Sequence, residues 1–446
     1  MSNFKVTLNS KLTVVSSRPV SSGKSHILSA LDHSLGYHSL HIIFYYENED
    51  NLFESFDLDP LRESLSEVLT LYPTVTGRLA RVLNHDFEFK CNDAGVRVIK
   101  ATVDTTLRQW LSSASGSQEK LLIAWDDMPH DPETWSPFRI QINSFEGGGV
   151  AIGLSCSHMV ADLTCAASFF KSWTEAHSHI PITHPPSFTP LPNHPNAHSL
   201  PPYAPTSSPI TRTMATATFK FSDSIIKQCL SKVNDTCPNA TPFDFLSALF
   251  WTRIARLKPP KSHDKTHSLS ICTDFRNLLK ASLPTGYFGN ALHFSMLTHN
   301  VDEPMESAHL GGIVSLVHKH LEGLREEEIW SNVEWLKSQE LRSTNCMYGP
   351  ELTCVCMEHL MSEKDHDQSL LYAAMFNNKE RPAHVSCRVG NVEGEGLIMV
   401  MPSSEGGLAR TVMVMVAEEE LAELRKDEAI LQLEPTIFLA DCVVDN

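Results

Sequence analysis

The sequence predicts a mixed α/β fold in two domains, and three observations carry that expectation. At 446 residues with 42% hydrophobic content, the chain outgrows a single core, which stops growing near about 250–300 residues. Strand-like and helix-like segments alternate in both halves. Between the halves, residues 180–210 turn to proline, histidine and serine, with almost no charge and no periodicity. Prolines fix φ and withhold donors, so this stretch is expected to run extended and cross from one domain to the other. The expected layout is an N-terminal domain over 1–179, a Pro-rich crossover linker over 180–215 and a C-terminal domain over 216–446.

In the first half, Phe138-Arg139-Ile140-Gln141-Ile142-Asn143 alternates apolar and polar residues like a strand with one buried face. Gly147-Gly148-Gly149 supplies a turn whose residues take positive φ at little cost. Val150-Ala151-Ile152-Gly153-Leu154 then runs apolar on both faces, like an interior strand, and closes a hairpin. Leu163, Ala166, Ala167, Phe170 and Trp173 fall at helical spacing. His158-Met159-Val160-Ala161-Asp162 therefore lies in a strand-to-helix turn, where site residues tend to sit.

In the second half, Thr241-Pro242 reads as an N-cap followed by proline at the first helical position. Phe245, Leu246, Leu249, Phe250 and Ile254 form the apolar stripe of that helix. Ser268-Leu269-Ser270-Ile271-Cys272-Thr273 reads as a strand leading to Asp274 and Arg276. A turn at Gly286 to Asn290 precedes another strand at Ala291-Leu292-His293-Phe294-Ser295-Met296. Cys354-Val355-Cys356 fills a short apolar strand. Gly396-Leu397-Ile398-Met399-Val400-Met401 and Arg410-Thr411-Val412-Met413-Val414-Met415-Val416 flank Gly406-Gly407 as a hairpin. Glu418-Glu419-Glu420 then opens a helix with acids at its positive end.

Composition narrows the partners. A formal net charge of −17 repels nucleic acid and anionic membrane surfaces, which argues against either as the main partner. The eleven cysteines, at 91, 156, 165, 229, 237, 272, 346, 354, 356, 387 and 442, are odd in number and contain no Cys-x-x-Cys pair, so they read as reduced thiols. His177, His179, His184, His194 and His198 have no zinc-site spacing, and no metal is expected. Met1-Ser2-Asn3-Phe4-Lys5-Val6-Thr7 lacks the apolar core of a signal peptide, and no run reaches the roughly 18 to 20 apolar residues that span a bilayer. A soluble, cytosol-facing chain is expected.

The chemistry centres on the His-x-x-x-Asp. A neutral imidazole, with an ordinary pKa of about 6.5, takes a proton from an alcohol or amine as that nucleophile attacks a thioester. With 22 histidines in the chain, about one such spacing arises by chance, so the pattern alone is also readable as a locally bonded histidine at a helix start with a dipole-favourable acid after it. Cys156 invites a Cys/His pair with His158 only if the strand continues far enough to put both on one side.

Several further segments fall in one order along the chain. Leu28-Ser29-Ala30-Leu31-Asp32 and Leu71-Tyr72-Pro73-Thr74-Val75-Thr76-Gly77-Arg78-Leu79 precede the histidine motif. Pro242-Phe243-Asp244-Phe245-Leu246-Ser247-Ala248-Leu249-Phe250-Trp251, Thr273-Asp274-Phe275-Arg276 and Gly286-Tyr287-Phe288-Gly289-Asn290 follow it. Together they resemble the plant BAHD acyltransferase family over nearly the whole chain. The resemblance implies two chloramphenicol acetyltransferase-like domains with mixed sheets joined by a long crossover loop, and a tunnel between the domains that opens His158 to both faces. It implies acyl-CoA as donor, His158 as general base, and Asp162 turned away to pair structurally with Arg276. Residues at i and i+4 of a regular helix share a face, so that arrangement requires a break in helical geometry between His158 and Asp162.

One departure changes the expected activity. The family's second hallmark, Asp-Phe-Gly-Trp-Gly followed by Lys-Pro, is due before the strand near Val385. This chain instead reads Tyr372-Ala373-Ala374-Met375-Phe376-Asn377-Asn378-Lys379-Glu380-Arg381-Pro382. CoA is an anion, so a CoA channel in so acidic a chain needs a local basic patch. Lys24, Lys258, Lys261 and Lys280 are its candidates, though each reads more readily as a solvated surface lysine. Together with Cys91-Asn92-Asp93-Ala94-Gly95-Val96-Arg97-Val98 and Tyr348-Gly349-Pro350-Glu351-Leu352-Thr353, the lost hallmark resembles the eceriferum subgroup. That resemblance implies a role in cuticular wax biosynthesis: promoting very-long-chain fatty-acid elongation alongside a 3-ketoacyl-CoA synthase-type condensing enzyme at the cytosolic face of the endoplasmic reticulum. The alternative is an acyl-CoA-dependent acyltransferase acting on an alcohol or amine.

Overall fold

Two principal sheets, several of whose strands are buried along their whole length, carry the fold. The computed structural model describes residues 4–18, 23–48, 58–82, 87–192, 212–258, 266–279, 283–284, 286–300, 310–338, 347–361, 369–376 and 379–441. The six-stranded sheet runs Val6–Val14, Val96–Thr106, Phe138–Glu146, Val150–Ser157, Ser39–Tyr46, His384–Val389. The seven-stranded sheet runs Leu292–Asn300, Thr266–Asp274, Thr353–Cys356, Leu397–Pro402, Arg410–Ala417, Met214–Phe221, Thr436–Phe438. Both sheets are mixed. Val96–Thr106 lies parallel to Phe138–Glu146, and Thr353–Cys356 lies parallel to both of its neighbours.

The hairpin of the first sheet places Ile142 opposite Ile152 and Ser144 opposite Val150. All eight residues of Val150–Ser157 are buried: Phe138–Glu146 and Ser39–Tyr46 flank its two edges, and the helix Leu163–His177 packs on the sheet at Ser39–Tyr46. Phe44 and Phe170 stack with centroids 3.8 Å apart across that interface. Gly147 and Gly148 adopt positive φ, whereas Gly149 does not share the left-handed conformation expected of all three. Its lack of a side chain serves packing instead, since a Cβ there sits 2.7 Å from Leu107 Cβ.

In the second sheet the hairpin places Met399 opposite Met413, with the turn carried by Gly406 and Gly407 at positive φ. The helix Pro242–Leu257 starts at a reciprocal capping box between Thr241 and Asp244. Every residue from Pro242 to Ala255 is buried, a wider face than its apolar stripe indicates. Helices Leu310–Glu322 and Glu418–Leu424 cover the sides that do not meet the sheet.

The sheets do not divide at the linker. His384–Val389, well inside the expected C-terminal domain of 216–446, pairs antiparallel with Ser39–Tyr46 of the first sheet. Ser39–Tyr46 is buried along its whole length, so its free edge has to be paired or covered, and the returning strand does this. Val385, Cys387 and Val389 enter the same core as Ile42, Phe44 and Val75. The strand also carries Arg388, which meets buried Glu119 at 3.0 Å and donates to Gly116 O at 2.7 Å. Tyr45 Oη donates to the other oxygen of Glu119 at 2.8 Å.

Residues 193–211 of the expected crossover lie outside the described residues, while Ser187 bridges to Tyr287 just before them. Nine cysteines in the described residues are free thiols; Cys346 and Cys442 lie outside them. No helix among the described residues is long and apolar enough to cross a membrane.

Removing one partner of a buried ion pair strands the other charge. Arg388→Ala is therefore expected to cost about 3–5 kcal/mol in equilibrium urea unfolding, and adding Glu119→Gln should recover part of that loss.

Candidate functional site

Val150–Ser157 ends in a tight turn, closed by Val160 N–H donating to Ser157 O at 2.9 Å and anchored by His158 N–H donating to His38 O at 3.0 Å. Asp162 then takes extended backbone angles, φ −92° and ψ 179°, as the N-cap of Leu163–His177, its carboxylate accepting from Cys165 N–H. Because Asp162 is outside the helix, its side chain diverges from that of His158 instead of sharing a face with it.

Asp162 is wholly buried and fully bonded. Oδ1 accepts from Cys165 N–H at 2.9 Å. Oδ2 accepts from Ala291 N–H at 3.0 Å and meets Arg276 Nη2 at 2.8 Å. The same guanidinium pairs with Asp274, donates to Gly289 O at 2.6 Å and lies over the Tyr287 ring. Burial alone pulls an arginine pKa down, but Asp162 and Asp274 outweigh it and hold that of Arg276 well above its usual value. The Asp162–Arg276 contact is thus a cap, an ion pair and a strand-start anchor at once.

On the other side of the turn, the His158 ring has no solvent exposure. Its Nε2 lies 3.1 Å from Tyr348 Oη, and the two rings stack at 5.8 Å with 23° between planes. Burial lowers the imidazole pKa, with Asp162 and Asp32 acting in the opposite sense, so the ring is neutral near pH 7. Asn290, in the turn before Leu292–Asn300, donates through Nδ2 to His158 O and to Asp32 Oδ1, both at 2.7 Å. The tunnel expected to open His158 to both faces therefore does not reach the ring in this structure. The physical reason is the Tyr348 phenol, which fills the space in front of Nε2.

Tyr348, His38 and Asn290 are the neighbours that sequence reasoning left without a role. Met347 and Tyr348 both donate their N–H to His38 Nε2, at 3.1 and 3.4 Å, while His38 Nδ1 donates to Gly390 O at 3.1 Å. Ser29 and Asp32 form a reciprocal capping box, and Asp32 also accepts from Asn290; sequence reasoning had assigned neither. Cys156 is buried in its strand, and burial pushes its thiol pKa up, which removes the thiolate a nucleophile requires. Of the candidate basic residues, Lys258 is held by Glu395 at 2.7 Å and Glu420 at 3.5 Å, so its charge is spent within the fold. Lys24 is exposed, and Lys261 and Lys280 lie outside the described residues.

A cavity of about 520 Å³ adjoins the ion-pair side of the turn, lined by Thr164, Cys165, Lys171, Arg276, Tyr287 and His359 among others. His158 is not part of its lining. The segment in place of the second hallmark packs against the same helix. Phe376 is buried among Tyr46, Phe170, Trp173 and His177, and Tyr46 Oη donates to Ala374 O at 2.9 Å.

Comparison with known proteins gives a consistent picture. Residues 4–431 match the profile of the Transferase family. The chain is 24% identical to Hydroxycinnamoyltransferase of Narcissus pseudonarcissus, over 86% of this chain and 90% of that one. It is also 24% identical to Protein ECERIFERUM 2 of Arabidopsis thaliana, over 93% of this chain and 96% of that one. Among solved structures it resembles vinorine synthase, with a TM-score of 0.74 and 20% identity over 96% of this chain and 98% of that one. It resembles TRI101 of F. graminearum, complexed with coenzyme A and T-2 mycotoxin, with a TM-score of 0.70 and 15% identity over 93% and 100% of the two chains. At these identities the structural likeness establishes the fold, a chloramphenicol acetyltransferase-like architecture.

Two predictions follow from the geometry. Asp162→Ala leaves the Arg276 charge short of a buried partner and should cost on the order of 3–5 kcal/mol, visible as a lower urea midpoint and reduced soluble yield. Burial also pushes His38, His41 and His384 down to about 3, whereas the unfolded chain titrates near about 6.5. Unfolding takes up protons below that value, so stability is full above it and is lost as pH falls toward 3. Thermal midpoints should drop between pH 7.5 and pH 5, and less steeply for His384→Phe.

Proposed function

Because the chain belongs to the Transferase family, the BAHD acyltransferases, we propose that it acts in cuticular wax biosynthesis as a BAHD protein whose acyl-transfer base is not used. In this reading it promotes elongation of very-long-chain fatty acids together with a 3-ketoacyl-CoA synthase-type condensing enzyme at the cytosolic face of the endoplasmic reticulum. The observation that carries the reading is the state of His158. A general base needs the acceptor proton within about 2.6–3.2 Å, and here that position is held by Tyr348 Oη over a ring with no exposure.

Two further observations support it. The segment in place of the second hallmark has no glycine and is anchored instead by a buried phenylalanine in an aromatic cluster. The alignment with ECERIFERUM 2 spans 93% of the chain, against 86% and 87% for the hydroxycinnamoyltransferases of Narcissus pseudonarcissus and Nicotiana tabacum.

A second reading is an acyl-CoA-dependent acyltransferase that esterifies an alcohol or amidates an amine. BAHD acyltransferases use acyl-CoA as substrate, and the fully bonded Asp162–Arg276 pair keeps the turn around His158 in order. In that case His158 removes the acceptor proton while the acceptor attacks the thioester carbonyl, and the thiol leaves with a proton.

Fatty-acid chain-length profiling of cells that express a very-long-chain condensing enzyme, with the wild type or with a folded His158→Ala variant, separates the two. Longer chains with both forms are expected. Longer chains with the wild type alone assign chemistry or acyl binding to the His158 site. No change with either form, together with CoA release in the presence of candidate acceptors, establishes the transferase.

A further inference from the structure

One buried side chain stands directly against the reacting nitrogen of His158. The Tyr348 phenol sits edge-to-face against Phe294 at 5.1 Å and 75° and against His38 at 4.9 Å and 86°, while its hydroxyl meets His158 Nε2. Its backbone has equally little freedom. The N–H groups of Met347 and Tyr348 point at His38 Nε2, and His38 is itself tied to Gly390 O. Gly349 follows with φ +104°, and a Cβ there would lie 2.0 Å from Glu393 O. The turn is pinned again where Glu395 N–H donates to Gly349 O at 2.6 Å.

The clamp also survives ordinary pH changes. Burial keeps His38 neutral down to about pH 3, so its Nε2 remains an acceptor for the two N–H groups. Burial likewise raises the Tyr348 pKa well above that of a free phenol, so the hydroxyl keeps its proton beside Nε2, with the Cys272 thiol as a second neighbour. The phenol at 3.1 Å occupies the place beside Nε2 that the hydroxyl or amine of an acceptor would take.

We infer that Tyr348 is a fixed plug over a base that is otherwise intact, so that a smaller side chain at position 348 opens His158 and gives the protein a latent ester- and thioester-cleaving activity. The inference rests on the proposed non-transferring role and deepens it, by naming the residue that silences the site. Removing the phenol leaves a space larger than the roughly 30 Å³ share of one water, next to a neutral imidazole. Water then loses a proton to Nε2 as its oxygen bonds to the acyl carbon, and the carbon–sulfur bond breaks. The departing thiolate takes the proton back from the imidazolium, leaving a carboxylic acid and free CoA. With an ester the alkoxide or phenolate leaves in the same way.

The test uses purified full chains: wild type, Tyr348→Phe, Tyr348→Leu, Tyr348→Ala and Tyr348→Ala with His158→Ala, each checked by thermal unfolding. The probes are p-nitrophenyl acetate, which needs no CoA contacts, and a long-chain acyl-CoA followed by free-thiol release. Wild type and Tyr348→Phe, which keeps the ring, should stay at the level of the double variant. Tyr348→Leu and Tyr348→Ala should cleave p-nitrophenyl acetate about 10²-fold faster, the usual lower bound for a positioned general base. Tyr348→Leu carries the test if the alanine cavity is not tolerated. Folded leucine or alanine variants no faster than the double variant overturn the plug, as does a wild type already as fast as they are. Chain-length profiling with the wild type is read separately. Elongation without unmasked cleavage sinks the plug alone, whereas absence of elongation sinks the functional reading whatever the cleavage rates.

Discussion

The ion pairing of the largely buried Arg276 guanidinium is the interaction around which the seam between the two sheets is built. Withdrawing such a charge from water costs several kcal/mol unless every donor is matched, and the chain supplies the matches from three places. Asp162 comes from the start of the helix Leu163–His177, Asp274 from the end of the strand two residues before the arginine, and Gly289 O from the turn that follows. Asp162 cannot move without giving up the helix cap and the anchor on Ala291 N–H. The position of His158, four residues earlier, is inherited from that arrangement rather than chosen independently.

A shared fold with acyltransferases leaves the reaction open, because function resides in what surrounds the reacting atoms. Here the ion pair is complete and the histidine is present, yet the space in front of Nε2 holds a phenol. The turn is held from behind by Asn290 and Asp32, neither of which faces that space. The scaffold that orients the histidine and the group that covers it are therefore separate features, contributed by different parts of the chain.

Much of this was legible before any coordinates. Both glycine hairpins, the Thr241 N-cap, the apolar strand before His158 and the residues of the ion pair all leave local patterns, in periodicity, in turn chemistry or in an ordered set of motifs. Tyr348 left none. Its contact with His158 joins positions 190 apart, and a tyrosine in an apolar stretch says nothing about which ring it will cover. His38 was equally silent, because two backbone donors sharing one imidazole nitrogen is a tertiary arrangement. The all-round burial of Pro242–Leu257 was understated by its stripe because helices distant in sequence supply the missing cover. The return of His384–Val389 to the first sheet escaped for a related reason: a strand's pattern reports that it is buried, not which edge it completes.

That returning strand sets a timetable for biosynthesis. Ser39–Tyr46 emerges from the ribosome more than 300 residues ahead of its edge partner His384–Val389. At about 5–20 residues per second, the apolar edge stays uncovered for tens of seconds while the rest of the chain is translated. Until then the edge of the first sheet presents unpaired backbone groups, a template for pairing with other chains. Truncations and premature stops that remove residues 384–389 leave this vulnerability permanent, however far they lie from His158.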